Sequence, residues 1–209
     1  MRQLEECTLM VIRWSFSSIT DTFTLVYAST FNSNDFGSES ILPTDAISRD
    51  REKGWVVEDG KRLITFRLMT FQSFENRLIS LVGDEVSKMI LYQMGNEIGR
   101  VAYDYSREAI KSESDLGPVL DSILSDRGWG RCGVFVKETR DGEITFTVQA
   151  TGTPSSHERT SVKPTCDIES GIASGFLEAY FGKKAHSHSE LACVSTRSLY
   201  CMFETTFNQ

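Results

Sequence analysis

The segment "CDIESGIASGFLEAYFGKKAHSHSELACVSTRSLYC", residues 166–201, limits what this chain can fold into more than any other stretch. Cys166 opens an apolar helical run, and Cys193 and Cys201 lie across a short turn. Glu190 precedes Cys193 by three residues, which gives the pattern C-x23-E-x2-C-x7-C. Zinc sites built from thiolate and carboxylate use a close ligand pair on a turn and distant ligands delivered by the fold. Glu190 and Cys193 supply the close pair, while Cys201 returns on the next strand and Cys166 arrives at a helix start. There the helix dipole lowers a thiol pKa, which helps it ligate. Three thiolates and one carboxylate fill a tetrahedral shell and leave no position for water, the pattern of a structural metal. Such a site carries a net charge of about −2, with Arg197 and the helix N-terminus as candidates for compensating positive charge. Spacing alone leaves two alternatives open. The cysteines can be small buried hydrophobes with Glu190 on a strand surface, or His186 or His188 can replace Glu190, since 186, 188 and 190 share one face of a strand.

Compartment decides how those thiols are read. The five cysteines are odd in number and scattered, which does not suggest a secreted disulfide framework. The first apolar run, "CTLMVI", is flanked by Glu5 and Glu6 and broken at Arg13, unlike a secretory signal. No segment approaches the ~20 apolar residues of a membrane span. The expectation is a cytoplasmic protein with reduced thiols and no membrane span. A formal net charge of −7, from 22 basic and 29 acidic side chains, argues against direct nucleic-acid binding.

Residues 1–50 mix β-branched and aromatic residues with a Ser/Asn/Asp/Gly-rich stretch, and read as an N-terminal arm or hairpin of unknown role. From there a domain over 51–207 is expected, with its core at 143–207. "WVVEDGKRLITF" predicts a hairpin about Asp59-Gly60. Phe71, Phe74, Leu78 and Leu81 predict a helix ending at Gly83. Asp84 is placed to cap a second helix with an apolar stripe of Met89, Ile90, Met94, Ile98, Val101 and Tyr105. Gly95 and Gly99, four residues apart on one face of it, invite a second element to approach the backbone. A third helix has Pro118 near its start, "CGVFVKETRDGEITFTVQA" turns at Asp141-Gly142 as a second hairpin, and a helix follows over 167–181. Strands at about 184–194 and 199–207 close an α+β fold, an antiparallel sheet with helices packed on it.

Catalytic motifs fail on context. "GWGRCG" (128–133) fits G-x-G-x-x-G by letter, but it follows a helix and leads into a strand, the reverse of a dinucleotide fingerprint. Ser174 in "GIASG" is mid-helix and no nucleophile elbow, and His157 sits in a polar loop. With no P-loop and no H-E-x-x-H, the sequence favours a binding module over an enzyme.

The pattern C-x4-G-x-A-S-G-F-L-x-A-x-F-G-K-K, followed by E-x2-C-x7-C and Phe203, resembles the four-vinyl-reductase (hydrocarbon-binding) domain family. Within it, the sensory domains of bacterial phenol- and toluene-responsive activators are most similar, over about residues 50–207. "GKRLITFRLMTFQSFENRLISLVG" and "LYQMGNEIG" extend the likeness upstream. The resemblance implies a fold like that of the related vesicle-tethering subunits, a homodimer, and a structural zinc on Cys166, Glu190, Cys193 and Cys201. It also implies a hydrophobic or aromatic small-molecule ligand between helix and sheet. Trp129, Phe135, Phe146, Val148, Ile172, Phe176 and Tyr180 are the candidate pocket residues, or else simply core. "EITFTVQA" lacks the tryptophan that the phenol sensors use, so phenol itself does not carry over. A sensor or carrier is the first functional expectation. An accessory protein or reductase in tetrapyrrole vinyl reduction, and a dimeric assembly module without ligand, are the alternatives.

Overall fold

The structure, a computed structural model, describes residues 48–208 apart from 52, 54, 59, 60 and 139–141. Side chains are not described at 49, 50, 55, 58, 61, 62 and 135–138. The arm expected over residues 1–50 therefore lies outside the described residues except for Ser48–Asp50. These three form β1, which pairs antiparallel with β2 (Trp55–Glu58), and β2 pairs with β3 (Lys61–Leu63) in the hairpin expected about Asp59-Gly60.

Two helices follow. α1 (Leu68–Val82) stops at Gly83, whose φ of 83° suits a residue without Cβ and whose N–H closes on the Ile79 carbonyl. α2 (Asp84–Ser106) begins at once. Asp84 is its first helical residue and not its cap: the residue before the helix is Gly83, and the Asp84 carboxylate pairs with Lys88 and Lys163. The buried faces also differ from the hydrophobic count. On α1 the inward residues are Phe71, Glu75 and Leu78, while Phe74 and Leu81 face solvent. On α2 the buried line is Ser87, Leu91, Gly95, Asn96 and Gly99, and Met89, Met94, Ile98, Val101 and Tyr105 are exposed.

The reason lies in α4 (Asp167–Phe181), which packs directly on that line of small residues. A Cβ added at Gly95 would lie 2.0 Å from the Ile168 carbonyl oxygen, and one at Gly99 2.1 Å from that of Ile172. The contact is reciprocal, since a Cβ at Gly171 or Gly175 would lie 2.2 Å or 1.9 Å from the carbonyl oxygens of Tyr92 and Asn96. Two backbones meet with no side chain between them, an approach only glycine permits. Tyr92 O–H donates to Ser174 Oγ at 2.9 Å, and Asn96 Nδ2 to Glu178 Oε2 at 3.2 Å. Ser174 is thus a buried interhelical acceptor.

α3 (Leu116–Asp126) carries Pro118 in its first turn, where a missing N–H breaks no helical bond. It packs on β4 (Arg131–Glu138), which pairs with β5 (Glu143–Thr151). "GWGRCG" begins in the turn between α3 and β4, with Gly128 and Gly130 both at positive φ, and runs into β4 from Arg131. After α4, which Gly182 ends in the left-handed conformation, β6 (Ser187–Ala192) and β7 (Cys201–Asn208) complete an antiparallel sheet of order β4-β5-β7-β6. Along β7, Cys201, Phe203, Thr205 and Phe207 are buried and alternate with half-buried residues. The architecture is α+β, with helices on an antiparallel sheet, as expected. Among the described residues, no helix is long and apolar enough to cross a membrane.

The glycine contact predicts the sign of a substitution. In an exposed helix Gly→Ala stabilises by roughly 1 kcal/mol. At Gly95 and Gly175 the added methyl meets backbone, so each Ala variant is expected to lose about 3 kcal/mol or more in urea unfolding.

Candidate metal centre

Four elements converge at the start of α4. Cys166 is the residue before the helix, fully buried, with its carbonyl accepting the Ser170 N–H at 2.8 Å. Cys193 and Cys201 flank a 3-10 turn at Val194–Thr196, which the Cys193 carbonyl ties down by accepting the N–H groups of Thr196 and Ser198. Glu190 comes from β6 beside a register shift that leaves Leu191 as an extra, exposed residue. One donor atom from each of Cys166, Glu190, Cys193 and Cys201 lies within 4.8 Å of the others.

The sulfurs are 3.3 Å (Cys166–Cys201), 3.6 Å (Cys166–Cys193) and 3.8 Å (Cys193–Cys201) apart. A disulfide requires about 2.05 Å, whereas a tetrahedron with Zn–S near 2.3 Å has edges of about 3.8 Å. Glu190 Oε2 accepts the Cys166 N–H at 3.2 Å, and its Oε1 is buried with no hydrogen-bond partner. A buried carboxylate oxygen left so carries a desolvation cost that a cation removes. The residues present therefore fit a tetrahedral cation.

The electrostatics agree. Hydrogen bonds from Cys166 and Cys201 pull the Cys193 thiol far down, and bonds with Cys193 and Cys201 push Cys166 far up. Burial and the neighbouring Cys193 push the Glu190 carboxyl up to about 9. Three of the four groups, Cys166, Cys201 and Glu190, are thus pushed toward their protonated forms. Binding a divalent cation would displace the remaining protons. Around the sulfurs stand Val194 N–H, 3.4 Å from Cys201, Ser195 Oγ, 3.1 Å from Cys193, and Thr153 Oγ1, 3.4 Å from Cys166. Arg197, expected to supply positive charge, sits exposed at the end of the 3-10 turn with φ of 71°. His186 is exposed, and the His188 ring stacks on Tyr92 with centroids 3.9 Å apart. Of the three residues on that strand face, Glu190 is the one brought to the sulfurs.

The loop that shelters the sulfurs also anchors a second buried cluster, which the sequence reading missed. Ser155 Oγ donates to Glu75 at 2.6 Å, its N–H to Glu169 at 2.9 Å, and Arg159 pairs with Glu75 at 2.8 Å. The available signal was Glu75 interrupting the line from Phe71 to Leu78, and Glu169 following Ile168 in a helix otherwise apolar or small on that side.

Apart from Phe135, whose side chain is not among those described, the candidate pocket residues lie elsewhere, in and against the core between α4 and the sheet. Phe146, Val148, Ile172 and Phe176 are at most 1% exposed, and Trp129 and Tyr180 pack against them half-buried. Tyr103 meets Phe176 and Tyr180 edge-on, and Phe181 contacts Phe146 and Phe207. Phe135 is opposite Thr147 in the hairpin. Two concavities open at the surface among the described residues, one along α2 and one at the C-terminal end of α4, and Trp129, Phe146, Val148, Ile172, Phe176 and Tyr180 line neither.

The geometry defines an α+β module with a thiolate-rich corner. No protein-family model matches the chain, and no curated protein sequence matches it. Among solved structures it is similar to the phenol-responsive sensory domain of the transcription activator PoxR, determined with phenol. The TM-score is 0.64 at 17% identity, over 77% of this chain and 84% of that one. The likeness shows a shared fold.

Burial pushes the Glu169 carboxyl up to about 7 from an ordinary 4.5. The raised value means that Glu169 takes up a proton on folding. Its contribution to stability is complete below about pH 4.5 and is lost as pH rises through about 7. Glu169→Gln stays neutral, so its stability should fall less than that of the wild type between about pH 5 and about pH 8, read from urea midpoints.

Proposed function

We propose that the chain is a sensory or carrier module of the four-vinyl-reductase type, spanning about residues 51–207. It is cytoplasmic and homodimeric, and binds a hydrophobic or aromatic small molecule. The observation that carries this reading is the convergence of Cys166, Glu190, Cys193 and Cys201 in a fold shared with a phenol-responsive sensory domain. These four residues would hold a structural zinc, which supplies a fixed tetrahedral tie between the start of α4 and the β6–β7 turn and no reactive position. The residues themselves set what moves. With its first turn pinned by the metal and its side held by the glycine seam, α4 would be displaced by a ligand at its C-terminal end, where Tyr180 and Phe181 pack.

A ligand between α4 and the sheet has to displace that aromatic packing. It therefore acts only as far as it binds the opened arrangement better than the closed one. The closed interior equally favours the second reading, an assembly module that needs no ligand.

Native mass spectrometry of the purified protein, compared with a denatured sample, tests the reading directly. A zinc-sized increment with a small organic adduct supports the sensor or carrier. Zinc without an adduct, and no thermal stabilisation by small aromatics, favours the assembly module. Cys193→Ser is expected to remove zinc and lower the melting temperature by about 10 °C or more, because metal binding energy here is folding energy. A variant that melts with the wild type and keeps stoichiometric zinc would show that the ligand set is wrong.

A further inference from the structure

The three cysteines of the thiol corner are fully buried, and the elements that bury them differ in what they can do. The Cys193–Cys201 turn, β6 and the start of α4 each carry a donor, so none of them can move away without breaking up the donor set. The segment from Thr153 to Arg159, between β5 and α4, carries none of the four. Its Thr153 Oγ1 lies 3.4 Å from Cys166 Sγ and 3.6 Å from Cys201 Sγ, and its Ser156 Oγ lies 3.6 Å from Cys201 Sγ. Thr153, Ser155 and Ser156 are at most 1% exposed. This segment is a strap across the sulfurs, and it can lift while all four donors stay in place.

The strap is held down by α1. Gln72 Nε2 donates to the carbonyls of Pro154 at 2.9 Å and His157 at 3.0 Å. Arg159 reaches back to the Gln72 carbonyl at 3.1 Å and to Asn76 Oδ1 at 3.2 Å. Beneath them Glu75, the buried residue of α1, accepts from Ser155 Oγ and pairs with Arg159. Phe71 and Leu78 pack only half-buried against the core, so polar groups do much of the docking of α1. Such a clasp contributes little net stability, because its groups regain water when it opens. Its opening leaves the seam between α2 and α4 intact and so costs a fraction of global unfolding, as local openings do. We infer that this clasp gates the thiol corner: a metal ion enters and leaves when α1 lets residues 153–159 lift, and α1 docked keeps the corner shut. The inference rests on the metal-binding part of the reading above and adds to it a route and a controlling element. Whatever displaces α1 then sets the lifetime of the bound cation without altering a ligand.

Zinc release from the full chain tests it. The chain loaded with stoichiometric Zn²⁺ is mixed with excess pyridylazoresorcinol, a chromogenic chelator, and both release rate and equilibrium affinity are read from the competition. The rate should level off as chelator is raised, and should depend only weakly on urea, because lifting a strap exposes little surface. Gln72→Ala and Ser155→Ala each remove a neutral clasp hydrogen bond. Each should speed release roughly 10-fold and leave the affinity unchanged, since a gate alters entry and exit together. Unchanged release in both variants overturns the inference. So does an affinity that falls in step with the faster release, for the clasp then holds the ligands and not their cover. A rate that keeps climbing with chelator overturns it as well, by showing an open corner, and so does a urea dependence as steep as that of global unfolding. A chain that takes up no Zn²⁺ fails earlier, at the metal reading itself, and takes this inference with it, so the two failures are told apart.

Discussion

Two helices of this molecule have given up side chains to meet. At Gly95 and Gly99 on α2, and Gly171 and Gly175 on α4, each backbone lies where the other's Cβ would be. Such contact is intolerant of adjustment, because a carbonyl oxygen cannot move aside as a flexible side chain does. It fixes the axial register of α4, and α4 sets much of the rest. Its first residue brings Cys166 to the β6–β7 turn, its first turn holds Glu169 against Ser155, and its inner face buries Ile172 and Phe176 toward the sheet.

Seen this way, the sulfur cluster and the glycine seam are two constraints on one rod. The seam holds α4 from the side along its first ten residues, and the cluster holds it at the tip. The loop from Thr153 to Arg159 joins both, for Thr153 touches Cys166 and Cys201 while Ser155 binds the carboxylates of α1 and α4. Buried carboxylates are costly unless their partners are in place. The placement of this loop is thus coupled both to the thiol corner and to the docking of α1.

Elements set by short-range rules were legible in the sequence. α4 runs from Asp167 to Phe181 as read, since Gly182 supplies the left-handed stop, and Gly128 and Gly130 mark the turn between α3 and β4. The four donors were legible as a set because metal sites leave a spacing. The strand face alone could not choose among 186, 188 and 190; the stacking of His188 on Tyr92 and the register shift after Glu190 distinguish them in space. The orientation of α2 was misread because hydrophobicity is counted by side chain, whereas burial here follows the absence of one. The cluster of Glu75, Ser155, Arg159 and Glu169 was illegible because its members are up to 94 residues apart and none is apolar. Six of the aromatic and aliphatic candidates, all but Phe135, belong to or pack against one core, and their packing is what a core alone also gives.

Among the described residues the sheet ends at β6, a strand of six residues with mostly polar, exposed side chains and an extra residue at Leu191. An open sheet edge is a template for adding strands from other chains, the route to fibrils and swapped domains. Here the irregularity falls next to Glu190, so the same backbone detour that accompanies the carboxylate's approach to the sulfurs also spoils the edge as a template. Anything that pulled Glu190 away and straightened β6 would therefore do more than loosen the thiol corner. It would expose a regular ladder of N–H and C=O groups and turn a failure of the corner into a tendency to aggregate.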